Sequence, residues 1–221
     1  MCSESPQVQW GHRLHQALHC YANEIVRLIG ESYGRETVQT AWKEFNDDPY
    51  REPFLGDDAN AELFYSWLFH KWSPVQERGH EVTDKTLYGV PPTRAYLDRC
   101  SAALNPKLRM YLEACLATWP RFYEIVSCHY GVGFRALDVF NNALCTVSEP
   151  LASKTLRDGE ILYAHLIPMG QITVMEAISP LSFPQQSKLQ LAQLRRECPM
   201  PESSVLDLRK MYFALSITSV G

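Results

Sequence analysis

The sequence predicts an α+β protein: a helical part over residues 1–119, a small five-stranded antiparallel β meander or barrel over 120–182, and C-terminal helices over 183–221 packing back on the body. Three observations predict it. Apolar residues recur at three and four as far as Leu116, the spacing of one helical face. The period changes at Pro120, where short β-branched and aromatic runs begin to alternate with Gly and Asn turns. Beyond Pro184 the helical spacing returns. With 46% apolar and 21% charged residues among 221, the composition is that of a folded globular chain, which excludes disordered, collagenous and disulfide-stapled classes.

The elements follow in order. Trp10, Leu14, Leu18, Tyr21, Ile25, Leu28 and Ile29 mark an amphipathic first helix, with Gly30 as its stop. A second helix fits Glu36 to Phe45, and Pro49 and Pro53 forbid its continuation. Asp57 or Asp58 caps a third, whose face carries Leu63, Phe64, Trp67, Leu68 and Trp72. After a long polar connection, one helix spans about Pro92 to Leu104, and Asn105-Pro106 starts another through Leu116. Strands fit Phe122–His129, Phe134–Phe140, Leu144–Val147, Glu160–Ile167 and Ile172–Ile178. Their connections are mostly tight, whereas a parallel crossover needs a dozen or more residues, so an antiparallel meander curled towards a small barrel is expected. Helices over Gln185–Arg196 and Ser203–Leu215 close the chain.

Charge is distributed unevenly. From Glu36 to Glu62 eight acids face only Lys43 and Arg51, while the whole chain carries 21 Lys+Arg against 25 Asp+Glu. Such a segment repels phosphate backbones, and no basic cluster elsewhere supplies a nucleic-acid footprint, so nucleic acid is a disfavoured partner. No apolar run reaches the roughly 18 residues of a spanning helix, and Met1–Pro6 lacks the basic and apolar regions of a signal peptide. The expectation is a cytoplasmic protein with no membrane partner. The seven cysteines are widely spaced without a Cys-x-x-Cys pair, which points to reduced thiols and not to zinc or thiol exchange.

His12, His15 and His19 fall within a roughly 60° arc of a helix turning 100° per residue. Imidazoles so spaced can chelate a metal, but a complete site needs further ligands. The expected role is a surface stripe at an interface, with no metal. Cys128 and His129 are adjacent on a strand and point to opposite faces, so they cannot form a thiolate dyad; His165 on a neighbouring strand is the alternative partner for Cys128 or Cys145. No Gly-x-Ser-x-Gly, His-Glu-x-x-His or Walker sequence is present. Phe122, Tyr123, Tyr130, Phe134, Phe140 and Tyr163 could make a stacking platform for single strands. Between Arg121 and Ile178, however, four bases face six acids, so core packing is their expected role.

The Trp67–Trp72 helix, a two-helix segment, Phe122–Val126, Phe134–Val139, Leu156–Ala164 and Pro180–Pro184 resemble, in that order, the body of bacterial proteins associated with the SEC-C zinc motif. The resemblance spans roughly residues 40 to 196 and rests on structural turns. It implies a helical-then-β body without transferable activity. The cysteine-rich tail is missing and Cys198 stands alone, so no zinc or other cofactor is implied.

These readings lead to a non-catalytic protein-binding chain: an adaptor, a regulatory subunit or a toxin-neutralising protein. A nucleic-acid-binding accessory using the β module is one alternative, and a metal- or cysteine-dependent enzyme the other. Asp47, Asp48, Tyr50, Phe54, Leu55, Asp57 and Asp58 combine charge with apolar anchors and are the expected contacts to a basic protein partner.

Overall fold

The structure is a computed structural model that describes residues 21–34, 36–100, 104–197 and 205–219. The α+β expectation holds: helices precede and follow a closed five-stranded barrel. Two compact units emerge, one of described residues up to Phe54 with Trp67–Leu116, the other of Leu55–Ser66 with the chain from Ala117 onward.

In the first unit, helix α1 occupies residues 21–28 and runs into a π-turn over Ile29–Tyr33. Gly30 does not stop it. The wider turn puts Ile29, Ser32 and Tyr33 into the core, where the Tyr33 hydroxyl donates to Val90 O at 2.9 Å, and the stop falls at Gly34 with φ 96°. Helix α2 covers Thr37–Asn46 and ends on Asp47 in the left-handed conformation. Helix α3, Ala61–His70, is divided between the units, and its Trp67 sits 5.6 Å from Phe45 in the first. Helices α4, Pro92–Cys100, and α5, Pro106–Ala117, each begin on proline, whose missing N–H costs nothing there. Trp42 is the hub of the packing, with Phe54 at 4.8 Å and Phe45 stacked at 5.8 Å.

The second unit holds strands β1 Arg121–His129, β2 Gly133–Asp138, β3 Leu144–Val147, β4 Ile161–Met169 and β5 Ile172–Phe183, then α6 Ser187–Glu197 and α7 Val205–Ser219. The order around the barrel is β1-β2-β3-β5-β4, closed by β1 against β4. The strict antiparallel meander is thereby corrected. An odd number of strands in a closed ring cannot alternate in direction throughout, so one parallel pair is forced. It is β3 with β5, bridged at Val147 and Thr173.

Side chains alternate as strands require. Tyr123, Ile125, Phe134, Ala136, Val147, Leu162, Ala164 and Leu166 fill the interior. The opposite face of β4 is buried too: Tyr163 stacks on Tyr212 of α7 at 5.1 Å, and His165 Nδ1 lies 2.8 Å from Ser66 Oγ. Pro180 survives within β5 because the ladder breaks there. Ser179 Oγ accepts the Tyr163 N–H at 3.3 Å and donates to Leu181 O at 2.6 Å, which keeps the Tyr163 N–H paired where the ladder is interrupted. Among the described residues no helix is long and apolar enough to cross a membrane.

Candidate partner-binding loop

The chain leaves α2 through Asp47, whose φ of 54° reverses direction while its N–H bonds Glu44 O. Asp48 then organises a turn over Pro49. Its Oδ1 accepts the Tyr50 N–H at 2.9 Å and its carbonyl accepts the Arg51 N–H at 3.2 Å. Farther along, Trp42 Nε1 donates to Glu52 O at 3.0 Å, and the Arg51 guanidinium lies 5.6 Å from the centre of the same indole. Gln39 brackets Phe54 from both sides, donating to its carbonyl at 3.1 Å and accepting its N–H at 2.9 Å. A loop held at this many points has lost most of its conformational freedom before any partner arrives, which lowers the entropy cost of binding.

Tyr50 projects from this frame with 92% of its surface exposed. Asp47 and Glu52 are exposed on the same segment, and Asp48 is half-buried beneath it. Phe54 is different. It is 8% exposed and packed on Trp42, so it anchors the loop to its own unit. Leu55, 84% exposed, and the exposed Asp57 belong to the second unit, as does Asp58, whose Oδ1 accepts the Asn60 N–H at 2.8 Å at the start of α3. That Asx-turn bond gives Asp58 a structural duty. His12, His15 and His19 lie outside the described residues.

Sequence reading missed the support beneath α2. Glu44 accepts Trp72 Nε1 at 2.6 Å and Arg78 at 3.2 Å, and His80 Nε2 stands 3.1 Å away. Because His80 Nδ1 accepts the Val75 N–H at 2.9 Å, its proton sits on Nε2, aimed at the carboxylate. Heptad-like spacing carries no signal for such a cluster, since Trp72, Arg78 and His80 lie far beyond Glu44 in the chain. Lys71 was equally hidden in an aromatic run. Burial pushes its amine down to about 7, with Cys115 acting in the opposite direction, and Nζ donates to Leu116 O at 2.8 Å at the end of α5.

Cys128 and Cys145 do not have the environment of nucleophiles. Burial, with Asp158 and Glu160, pushes the Cys128 thiol up, and its Sγ donates to Ser153 O at 3.2 Å. Burial raises Cys145 as well, and that thiol donates to Ala136 O. On the barrel, Phe122, Tyr123, Phe134 and Tyr163 are core residues and Phe140 is half-buried; of the six aromatic residues, Tyr130 alone is exposed, at 77%. The outward face of β2 and β3 pairs Arg135 with Thr146 and Leu137 with Leu144. No family model, curated protein or solved structure matches this chain.

Proposed function

We propose that this chain is a non-catalytic protein-binding component, an adaptor, regulatory subunit or toxin-neutralising protein, which engages a basic protein through the Asp47–Glu52 loop. The observation that carries the reading is the 92% exposure of Tyr50 on a loop pinned by Asp48, Trp42 and Gln39. An aromatic side chain on a rigid mount, rimmed by charge, supplies anchor area at little ordering cost. The experiment is capture from a lysate of the source cell, with and without nuclease treatment, by wild type and by Tyr50→Ala in parallel. A protein retained by wild type and lost from the variant supports the reading. Equal retention by both, or capture that nuclease abolishes, overturns it.

A second reading has one observation in its favour, the closed five-stranded barrel, since small barrels of the oligonucleotide/oligosaccharide-binding kind present their β2–β3 face and β1–β2 turn to single-stranded nucleic acid. Tyr130 and Arg135 are the residues there suited to a base and a phosphate. Against it stands the excess of acids over bases from Arg121 to Ile178. Titration of a fluorescent single-stranded oligonucleotide decides this. Micromolar binding lost in Tyr130→Ala would favour the barrel, and no binding at low salt would remove it.

A further inference from the structure

We propose that Tyr50 is a phosphorylation site for a tyrosine kinase that selects acidic sequence. The consequence for docking rests on the reading given above, but the chemistry of the site does not.

The chain has 11 tyrosines, of which two are exposed, Tyr50 at 92% and Tyr130 at 77%. The other nine are buried or half-buried, so a kinase cleft reaches only these two without unfolding. Exposure does not separate them; their neighbours do. Tyr50 follows Asp47 and Asp48 and precedes Glu52, whereas the segment from Ser127 to Phe134 around Tyr130 contains no acid. The Arg51 guanidinium lies 5.6 Å from the centre of the Trp42 indole. With three acids and one base from Asp47 to Glu52, the segment that carries Tyr50 is net negative. The bond from the Tyr50 N–H to Asp48 Oδ1 fixes the backbone from which the phenol projects.

In the transfer, the phenol oxygen bonds the γ-phosphorus of a nucleoside triphosphate and the bond from that phosphorus to the β-phosphate oxygen breaks. The nucleoside diphosphate leaves, and the phenolic proton passes to the kinase's general base. The product adds about −1.5 to −2 charges at neutral pH. On a segment with three acids and one base, this strengthens the field a basic partner meets, and it converts the tip of the loop from an apolar ring to a dianion.

The test incubates the intact protein with magnesium, ATP and a purified tyrosine kinase of acidic preference, and maps phosphate by peptide mass spectrometry. Initial labelling of Tyr50 should exceed that of Tyr130 about tenfold, the discrimination two or three surface charge contacts supply. In Asp47→Asn/Asp48→Asn, where the amide oxygen of the second substitution keeps the acceptor for the Tyr50 N–H, Tyr50 labelling should fall towards that of Tyr130. Equal labelling of the two tyrosines, no phosphate on Tyr50, or unchanged labelling in the double variant overturns the proposal. No partner takes part in this map, so its failure leaves the docking reading standing; failed capture by the unphosphorylated protein would leave the map standing.

Discussion

Replacing Phe54 by Ala separates an anchor that holds the loop from one that is offered to a partner. Phe54 is 8% exposed, its ring centre lies 4.8 Å from that of Trp42, and its backbone is bracketed by Gln39. Truncating a buried phenylalanine costs about 3–5 kcal/mol in lost transfer energy plus the cavity. A loop residue leaves a gap that its neighbours partly close, which places the cost at the lower end, about 3 kcal/mol. For a chain of this size each kcal/mol moves the melting temperature by about 2–4 °C, so a drop of about 6–12 °C is expected. Tyr50→Ala removes no packing at 92% exposure and should stay within about 0.5 kcal/mol of wild type. Thermal unfolding followed by tryptophan fluorescence reads both, with Trp42 next to the lesion. A Phe54→Ala midpoint no lower than that of Tyr50→Ala would refute the reasoning, because Phe54 would then be holding nothing.

Trp67→Ala should cost about 3–5 kcal/mol, since the indole is 7% exposed and packs on Phe45; a calorimetric midpoint shifted no further than by a surface substitution would count against it. Gly133→Ala should destabilise by about 3 kcal/mol or more, at the upper end of overpacking costs, because the added methyl would lie 2.1 Å from Val147 O. Gly30→Ala, where the methyl meets nothing, is its control in urea unfolding, and equal midpoints would contradict the close approach. Lys71 has its folded pKa lowered to about 7, so between there and 10.5 the unfolded chain binds more protons and stability from this group rises with pH. Lys71→Met should lose that rise in melting curves taken across the same window, and an unchanged pH slope would refute the burial of the amine.

Much of the secondary structure was legible because periodicity and punctuation are local. Pro120 marks the change from helix to strand, and the turns at Gly131–Gly133, Asn141–Asn142 and Met169–Gly170 separate the strands on either side of them. Strand order was not legible. The seam between β3 and β5 follows from ring closure, which joins residues far apart in the chain and leaves no mark on either strand's pattern. Gly30 misled because glycine reads as a helix stop, while the burial of Ile29 and Tyr33 stabilises one more turn through it. At the candidate loop, composition identified the segment, and an alternating mix of acids and aromatics could not say which ring faces inward. Phe54 was decided by Trp42 and Gln39, which lie on α2 and contact it only after folding.

The central claim, that an acidic, pre-ordered loop meets a basic partner, is tested most directly by association kinetics of the captured partner with wild type and with Asp47→Asn/Asp48→Asn. The neutralised loop keeps its turn, so the dissociation rate should stay close to wild type while the association rate falls about threefold to tenfold at low ionic strength. Added salt should bring wild type down to the variant. Equal association rates at low salt, with both proteins folded, would contradict the account.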